Sequence, residues 1–471
     1  MNYNMENRLN LCAMKHMDRK NGWKRLFATF TTLVALWLPC ASHAQEMIRA
    51  IYDAPTTFSL ARSYSNYKQW IVYDEYSDFS LFGRMDTSGY GNLFLKTRQQ
   101  IHVKDMEISG DVLYFCGTMY NYEVMNNVGV MGYFLISQMS NPSTMSINYI
   151  FFNEFRDLRK LTVYDRDSTR HVPMVGTGFD GRDYIADAYL YYGTTAPGGG
   201  SWGRAWTYMP NIDAKFDDII DYRDSIAISS RVEDTSEVQI CFIEKTPLVS
   251  VPFFVSSGVY TTKVPDAPVG RVLLQTADTN LYAFYRHGPY LDVCQFLGCN
   301  NYNSFHIPVL ATGGYFPESF TLKDVCVDIK SQNEMSVLLR NTYLTDISHR
   351  IYHIPVSLFP AGGSVKAHVY THRTGYTPFS LCGGKNYHTV TMGKYMDVWG
   401  MARVVNPLFE NCSELLDAQT REKKWGMKPI PKDSEIITEP GVVNNMPVEI
   451  VDYMVWQECG SYYMKDDNDN K

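Results

Sequence analysis

The chain has 471 residues, of which 20% are charged, and its formal net charge is −7 at pH 7. A negatively charged chain without a basic stripe is a poor general ligand for nucleic acid, so we expect no nucleic-acid partner. Aromatic residues make up 14% of the chain and include 34 tyrosines, which favours β-structure. We therefore predict an all-β protein.

The N-terminal region has the pattern of a secretory signal peptide. Basic residues cluster between Met17 and Arg25, an apolar run covers residues 26–38, and Ala44 precedes Gln45. That run is shorter than the ~20 residues that a membrane-spanning helix needs. We predict that residues 1–44 are removed on export, with Met17 as an alternative start. The mature chain is then expected to have no transmembrane segment and to be periplasmic, cell-surface or extracellular.

A short opening, in which two apolar residues enclose two polar ones, recurs along the chain. It occupies residues 103–106, 158–161, 216–219, 269–272 and 322–325, with a weaker copy at 376–379 and a degraded copy at Phe58. A polar turn and further apolar strands follow each copy, so that four strands fill a period of about fifty residues. This period and strand number are typical of a β-propeller blade.

The pattern of apolar residues along the strands supports this interpretation. Val112, Leu113, Tyr114 and Phe115 are apolar at both parities, which predicts a strand buried on both faces. Stacked blades bury both faces of each sheet. A β-sandwich gives no reason for so regular a period, and solenoid repeats are usually shorter.

The repeats resemble the β-propeller superfamily over about residues 45–405. No WD dipeptide, kelch glycine pair or quinone-enzyme tryptophan motif is present, so the resemblance implies only the fold and a central channel. We predict a seven-bladed propeller of four-stranded blades. Because the last blade lacks an obvious fourth strand, we expect the N-terminal strand at 45–53 to complete it and to close the ring.

The remaining residues are expected to form a small C-terminal extension. Residues 406–464 should contain a short helix at 411–424 and a strand at 448–456. The polar, acidic residues 465–471 are predicted to be a disordered tail.

Cationic side chains near the ends of the second strands are the candidate ligand-binding residues. In a propeller these positions gather around one mouth of the channel. A cationic arc on an acidic protein would attract an anionic ligand such as an acidic sugar. The alternative is that they are solvated loop charges. We predict a carbohydrate or envelope-protein partner and no cofactor. The candidate ligand-binding residues are Arg231, Arg286, His287, Arg340 and Lys394.

An alternative function is that of a carbohydrate-active enzyme, a lyase or glycoside hydrolase acting on an acidic glycan. Asp217 and Asp324 are the candidate catalytic carboxylates, since paired carboxylates perform acid/base hydrolysis of glycosides. The chain has neither aspartate boxes nor a G-x-S-x-G elbow, so sialidase-like and α/β-hydrolase chemistry are not indicated.

Four histidines form a pattern in the sixth repeat. An antiparallel pairing of its third and fourth strands in one register sets His349 opposite His372 and His353 opposite His368. Two opposed imidazoles lie close enough to share a metal ion, although a zinc site needs three or four ligands. The alternative is a polar outer face.

Overall fold

A computed structural model describes residues 46–47, 49–51, 60–64, 69–75, 77–86, 93–140, 146–191, 202–208, 214–232, 237–245, 252, 254, 258–265, 268–277, 279–298, 301–309, 319–327, 334–341, 348–355, 365–373, 377–383, 387–395, 398–405, 438–443, 446–458 and 461–465. Most of these residues lie in β-strands. They contain one 3-10 helix, Ile136–Ser140, and no α-helix. The prediction of an all-β chain is confirmed for this part of the chain.

The first two sheets each have five strands. The first runs β2 (Arg49–Ile51), β6 (Leu93–Lys96), β5 (Ser80–Asp86), β4 (Gln69–Glu75) and β3 (Leu60–Tyr64). The second runs β1 (Glu46–Met47), β10 (Ser146–Phe152), β9 (Asn126–Leu135), β8 (Val112–Asn121) and β7 (Ile101–Ser109).

The next two sheets have the simple order of a meander. The third runs β11 (Phe155–Leu161), β13 (Thr169–Gly178), β14 (Asp183–Tyr191) and β15 (Trp202–Thr207), with β12 (Tyr164–Arg166) also paired to β13. The fourth runs β16 (Ala214–Tyr222), β17 (Ser225–Val232), β18 (Val238–Glu244) and β19 (Val259–Lys263).

A sheet of eleven strands joins two four-stranded meanders through C-terminal strands. It runs β20 (Val269–Ala277), β21 (Asn280–His287), β22 (Tyr290–Gly298), β23 (Asn301–Pro308), β31 (Thr438–Val443), β32 (Met446–Glu458), β27 (Val365–Arg373), β26 (Ser348–Pro355), β25 (Glu334–Asn341) and β24 (Phe320–Val327), with β33 (Ser461–Lys465) on β32. The last sheet contains β28 (Thr377–Gly383), β29 (Tyr387–Tyr395) and β30 (Val398–Val405).

The strands that open these groups lie side by side in chain order. We call them the first strands: β3, β7, β11, β16, β20, β24 and β28. Each contacts the next, and β28 contacts β3. The Asp105 carboxylate accepts the Leu161 N–H and the Glu107 carboxylate accepts the Val163 N–H, so neighbouring first strands run parallel. The turns between second and third strands therefore emerge at one end of the molecule, which we call the entry end.

Apolar clusters fill the spaces between successive sheets. Alternate residues of β8 enter two different clusters: Leu113 and Phe115 face the first sheet, whereas Tyr114 and Cys116 face the third. Both faces of this strand are therefore buried, as its sequence predicted.

A β-bulge explains why the repeated opening has two adjacent polar residues. The pairing shifts by one residue between Val103 and Asp105 in β7, and one-residue shifts also occur in β11, β16, β24 and β28. Such a bulge inserts one residue and so breaks the strict alternation of a strand. In β20 the irregularity is longer, because the pairing shifts by two residues between Val269 and Leu273. The sequence copies at 103, 158, 216 and 322 are in phase with the bulge. The copies at 269 and 376 start two residues early, because β20 and β28 carry the bulge further along.

The expected position of the N-terminal strand is wrong. Glu46–Met47 pairs with β10, and Arg49–Ile51 pairs with β6, so both lie on the first two sheets instead of the last. The chain re-enters the first sheet at Leu60, and this short connection favours the nearest open edge.

The C-terminal strand predicted at 448–456 lies within β32, where it pairs parallel to β27. Lys465, predicted as the first residue of the disordered tail at 465–471, instead ends β33 and pairs with Met454. The rest of that tail, the helix predicted at 411–424 and the signal peptide fall outside the described residues.

Gly117→Ala should destabilise the fold. Gly117 pairs with Val103 beside the bulge, and an added Cβ would collide with the backbone oxygen of His102. Backbone cannot yield as a flexible side chain does, so we expect a loss of about 1–3 kcal/mol in the free energy of unfolding. Urea denaturation of the mature chain measures it.

Gly110→Asn is the matched control. Gly110 has a φ of +61°, and an added Cβ there meets nothing within 4 Å. Asparagine tolerates this backbone region, so the loss should be small. Equal stability of the two variants would show that the close approach at Gly117 is not a constraint.

Candidate functional site

A chain of polar side chains links the first strands at the centre of the structure. Arg62 of β3 lies 2.6 Å from the Asp105 carboxylate and donates to Ser380 Oγ at 3.3 Å. Ser380 donates in turn to Asp324 at 3.0 Å. On the other side, the Lys160 ammonium lies 3.9 Å from Asp105 and 3.7 Å from Asp218. The three carboxylates of this polar chain belong to Asp105, Asp218 and Asp324, and each of these residues is at most 9% exposed.

Lys160 compensates the charge of two buried carboxylates. Burial alone would lower the pKa of Lys160, but Asp105, Asp218 and Asp324 outweigh it and raise that pKa. Burial raises the pKa of Asp218 to about 6 in spite of Lys160 and of the backbone N–H of Leu274. A buried charge is tolerated only when it is paired and hydrogen-bonded. The polar chain is therefore a structural element of the centre.

The strand β20 interrupts this side-chain network. At the position equivalent to Lys160 it carries Leu273, which is 3% exposed. The connection from β16 to β20 is made by Asp218, which accepts the Leu274 N–H at 2.8 Å, and by Asp217, which accepts the Val272 N–H at 3.1 Å.

Four cations gather at the entry end of three successive groups of strands. Arg271 and Lys323 lie in the bulges of β20 and β24, and Arg231 and Arg340 lie near the ends of β17 and β25. We call them the cationic cluster. Burial and the charges of Arg340 and Arg271 lower the pKa of Lys323, so these three cations interact.

Two acidic residues lie beside the cationic cluster: Asp217, and Asp324, whose charge acts on Lys323. Asp217 lies 3.5 Å from Arg231, and Arg271 also acts on its carboxylate. Arg231 further donates to the carbonyl oxygens of Pro268 and Gly270. The cluster therefore keeps an excess of positive charge in a chain whose net charge is −7.

The structure separates the predicted ligand-binding residues. Arg231 and Arg340 belong to the cationic cluster. Arg286 is 3% exposed, and its guanidinium donates to the carbonyl oxygens of Phe320 and Gly288 at 3.0 Å each. Arg286 thus holds a turn in place from inside the protein. Lys394 lies in β29, and its side chain is outside the described part of the structure.

His287 faces a carboxylate instead of the cationic cluster. Its Nδ1 lies 3.4 Å from Asp292, and the Nδ1 of His306 lies 2.9 Å from the same carboxylate. The sequence prediction included His287 because of its position at the end of a strand, but it did not include Asp292 or His306.

The two candidate catalytic carboxylates both have structural partners. Burial raises the pKa of Asp217, while the Val272 N–H and Arg231 oppose this shift. Asp324 accepts hydrogen bonds from the Val325 N–H and from Ser380, both at 3.0 Å. Their catalytic role stays a prediction.

The predicted register of the four histidines is confirmed in the backbone. His349 pairs with His372, Ile351 with Tyr370, and His353 with His368. Their side chains lie outside the described atoms, so metal binding at these pairs stays a prediction.

A small aromatic pocket lies at the turn between β13 and β14. Its volume is about 170 Å³, below the ~300 Å³ that a small-molecule site usually has. Two carboxylates line it, so it does not suit an anion. The lining residues are Glu154, Phe155, Gly178, Phe179, Asp180, Tyr184 and Trp206.

The ranges that the structure describes contain no helix with the length and apolar character of a membrane span.

Lys160→Met should destabilise the protein strongly. The substitution keeps the bulk of the side chain, removes the cation beside Asp218 and leaves Asp105 with Arg62 alone. Breaking a buried ion pair typically costs about 3–5 kcal/mol. The loss should be larger at pH 8 than at pH 5. The pKa of Asp218 is already raised to about 6, so its stabilising protonated form is lost as the pH rises through that value.

Lys263→Met provides the control for Lys160→Met. Lys263 pairs with Glu237 at 2.8 Å, but its side chain is 67% exposed, so we expect a change of at most about 1 kcal/mol at both pH values. Denaturation curves at pH 5 and pH 8 compare the two. Similar small losses in both variants would contradict the assigned role of Lys160.

No family model matches the chain, and no curated protein matches it. Its solved structural neighbours include the β-propeller domain of Cps50 (Swd1) from Myceliophteria thermophila, with a TM-score of 0.42, 9% identity, and coverage of 74% of this chain and 96% of that one. A six-bladed fucose-binding lectin from Aleuria aurantia has a TM-score of 0.35, 11% identity, and coverage of 64% and 93%. The β-propeller domain of the Trilobed protease from Pyrococcus furiosus has a TM-score of 0.34, 8% identity, and coverage of 66% and 98%.

Proposed function

We propose that this chain is an exported, seven-bladed β-propeller that binds an anionic glycan at its entry end. The blade number is supported by the first strands, each of which opens an antiparallel group of three or four strands. Closure of the ring is supported by the contact of β28 with β3 and by the hydrogen bond from Arg62 to Ser380. In this arrangement the ring closes through side chains of the first strands.

Export is supported by the signal-peptide pattern and by the position at which strand β1 begins. The expected cleavage site after Ala44 lies just before Glu46, where β1 begins. Removal of residues 1–44 therefore leaves every described strand intact. The mature protein would act in the periplasm, at the cell surface or outside the cell.

The observation that carries the ligand assignment is the cationic cluster. Arg271, Lys323 and Arg340 come from two neighbouring groups of strands, and together with Arg231 they outnumber the nearby carboxylates of Asp217 and Asp324. Arginine side chains bind carboxylate and sulfate-like groups through paired N–H donors. An acidic polysaccharide presents such groups repeatedly, so a cluster of this kind suits it.

The mature protein should begin at Gln45. Expression in a host with a general secretion pathway, followed by mass spectrometry of the N-terminal peptide, measures the cleavage site. Retention of residues 26–44 in the exported fraction would contradict the signal-peptide assignment.

Arg271→Ala combined with Arg340→Ala should weaken binding to acidic glycans and flatten its salt dependence. Exposed charge attraction is screened by salt, so loss of two cations removes a salt-sensitive contribution. We expect a drop in affinity of about tenfold or more, equivalent to about 1.4 kcal/mol. Glycan-array binding followed by titration at low and high salt measures it.

The control double variant, Arg166→Ala with Arg223→Ala, removes the same charge from the opposite end. Arg166 lies in β12 and donates to the Lys245 carbonyl, and Arg223 lies in the turn between β16 and β17. Equal losses of affinity in both double variants would show that binding depends only on net charge and not on the cationic cluster. A parent protein that binds no acidic glycan would overturn the proposal.

The same glycans test the enzymatic alternative. Release of reducing ends by the parent, abolished in Asp217→Asn or Asp324→Asn with folding retained, would assign a lyase or glycosidase. Binding without turnover supports a binding protein.

A further inference from the structure

We propose that His287, Asp292 and His306 form a binding site for a divalent transition-metal ion, with Zn²⁺ as the expected ion. This site is separate from the four histidines of β26 and β27. It is also independent of the cationic cluster, because none of its ligands belongs to that cluster.

Strand pairing brings the three residues together. Asp292 of β22 lies directly opposite His306 of β23, and it lies opposite Tyr285 of β21 on its other side. Side chains two residues apart on a strand share a face, so His287 lies on the same face as Tyr285, diagonal to Asp292. All three residues therefore project from one face of three adjacent strands.

The ligand atoms converge at distances that suit one ion. One ligand atom from each residue can be chosen so that all three lie within 4.8 Å of one another. Asp292 Oδ1 lies 2.9 Å from His306 Nδ1, and Asp292 Oδ2 lies 3.4 Å from His287 Nδ1. Both separations are near the ~3.3 Å between neighbouring ligand atoms around a tetrahedral zinc ion with bonds of about 2.0 Å.

The electrostatic setting favours a cation. The Asp292 side chain is fully buried, whereas the imidazoles of His287 and His306 are 41% and 37% exposed. A buried carboxylate is costly unless a positive charge or donors compensate it. Two imidazoles and one carboxylate are a familiar ligand set for zinc, and the half-exposed rings leave a fourth position open to water.

The neighbouring residues hold these ligands in place. Arg286 donates to the Gly288 carbonyl and to Phe320 of β24, which fixes the turn directly after His287. Gly288 has a φ of +52°, as the turn requires. The Tyr290 ring packs edge-on against His306, with ring centroids 6.2 Å apart. Supporting contacts of this kind orient metal ligands before the ion binds.

The alternative occupant of the space between the ligands is a proton. Each imidazole can donate its Nδ1–H to Asp292, which would satisfy the carboxylate without metal. Only metal binding predicts an ion in the purified protein and a change in stability on chelation.

The test uses the full mature chain without a histidine tag. After removal of bound ions by chelation and dialysis, titration with Zn²⁺ and elemental analysis should give one ion per chain at this site. Cobalt(II) should bind in its place and give the visible absorption of a four-coordinate centre. Zinc should also raise the melting temperature, and chelation should reverse this rise.

His306→Gln and, separately, His287→Gln should each weaken zinc binding by at least about tenfold. Both rings are half-exposed, so these variants should fold, and a melting curve without metal checks this. Asp292→Asn is a third variant, but its burial makes misfolding a concern that the two histidine variants avoid.

Two control variants assign the ion to this site. His353→Gln with His368→Gln removes one of the opposed pairs of β26 and β27, and His102→Gln removes a histidine paired with a single carboxylate, Glu75. Both should leave the affinity unchanged. The Arg271→Ala and Arg340→Ala double variant should also bind zinc normally, which separates this proposal from the glycan proposal.

Two results would overturn the site. One is a parent protein that binds no zinc or cobalt under these conditions. The other is binding that survives both His306→Gln and His287→Gln, including binding lost only in the His353→Gln and His368→Gln variant.

Discussion

The structure depends on how the first strands accommodate buried charge. The first strands from β7 onward each have a bulge, which in β7, β11, β16 and β24 falls where the sequence places two adjacent polar residues between apolar neighbours. In these four strands the residue after the bulge turns toward the neighbouring first strands. Asp105, Lys160, Asp218 and Asp324 occupy that position and connect through Arg62 and Ser380. A one-residue shift in any strand would move its charge into an apolar cluster, so the polar chain specifies register as well as contact.

The same bulge creates the proposed ligand site. In β16 and β24 it holds two polar residues: the second, Asp218 or Asp324, enters the central chain, and the first, Asp217 or Lys323, lies with the cationic cluster. In β20 the longer irregularity places Arg271 beside Lys323, although the residue equivalent to Lys160 there is the apolar Leu273. In β11 the equivalent Arg159 is instead held by Asp183 at 2.5 Å, so the sector before the cationic cluster is neutralised internally. The polar chain and the proposed ligand site therefore use adjacent residues with different partners.

The sequence predicts what alternation and period encode. The repeat predicts where the strands lie, and the constant sum of opposed residue numbers predicts the observed register of His349 with His372. The sequence does not show that Arg286 turns inward. A cation at the end of a strand has the same sequence pattern whether its side chain meets solvent or two carbonyl oxygens. The His287, Asp292 and His306 set was missed because its diagonal contact crosses three strands. A search for histidines and carboxylates on one face of adjacent strands would have found it.

The terminal segments show why topology at the edges is hard to predict. The outer strands β6, β10, β23 and β27 each pair with a terminal strand, β2, β1, β31 and β32 respectively. An open edge is a liability in every sheet, and the N-terminal strands do cover edges, but those of the first two sheets and not of the last. Every edge offers the same backbone donors and acceptors, so side-chain patterning does not choose among them. Chain reach favours the first sheet for Arg49–Ile51, because Leu60 of that sheet follows Ile51 by few residues and bringing close positions together costs little entropy.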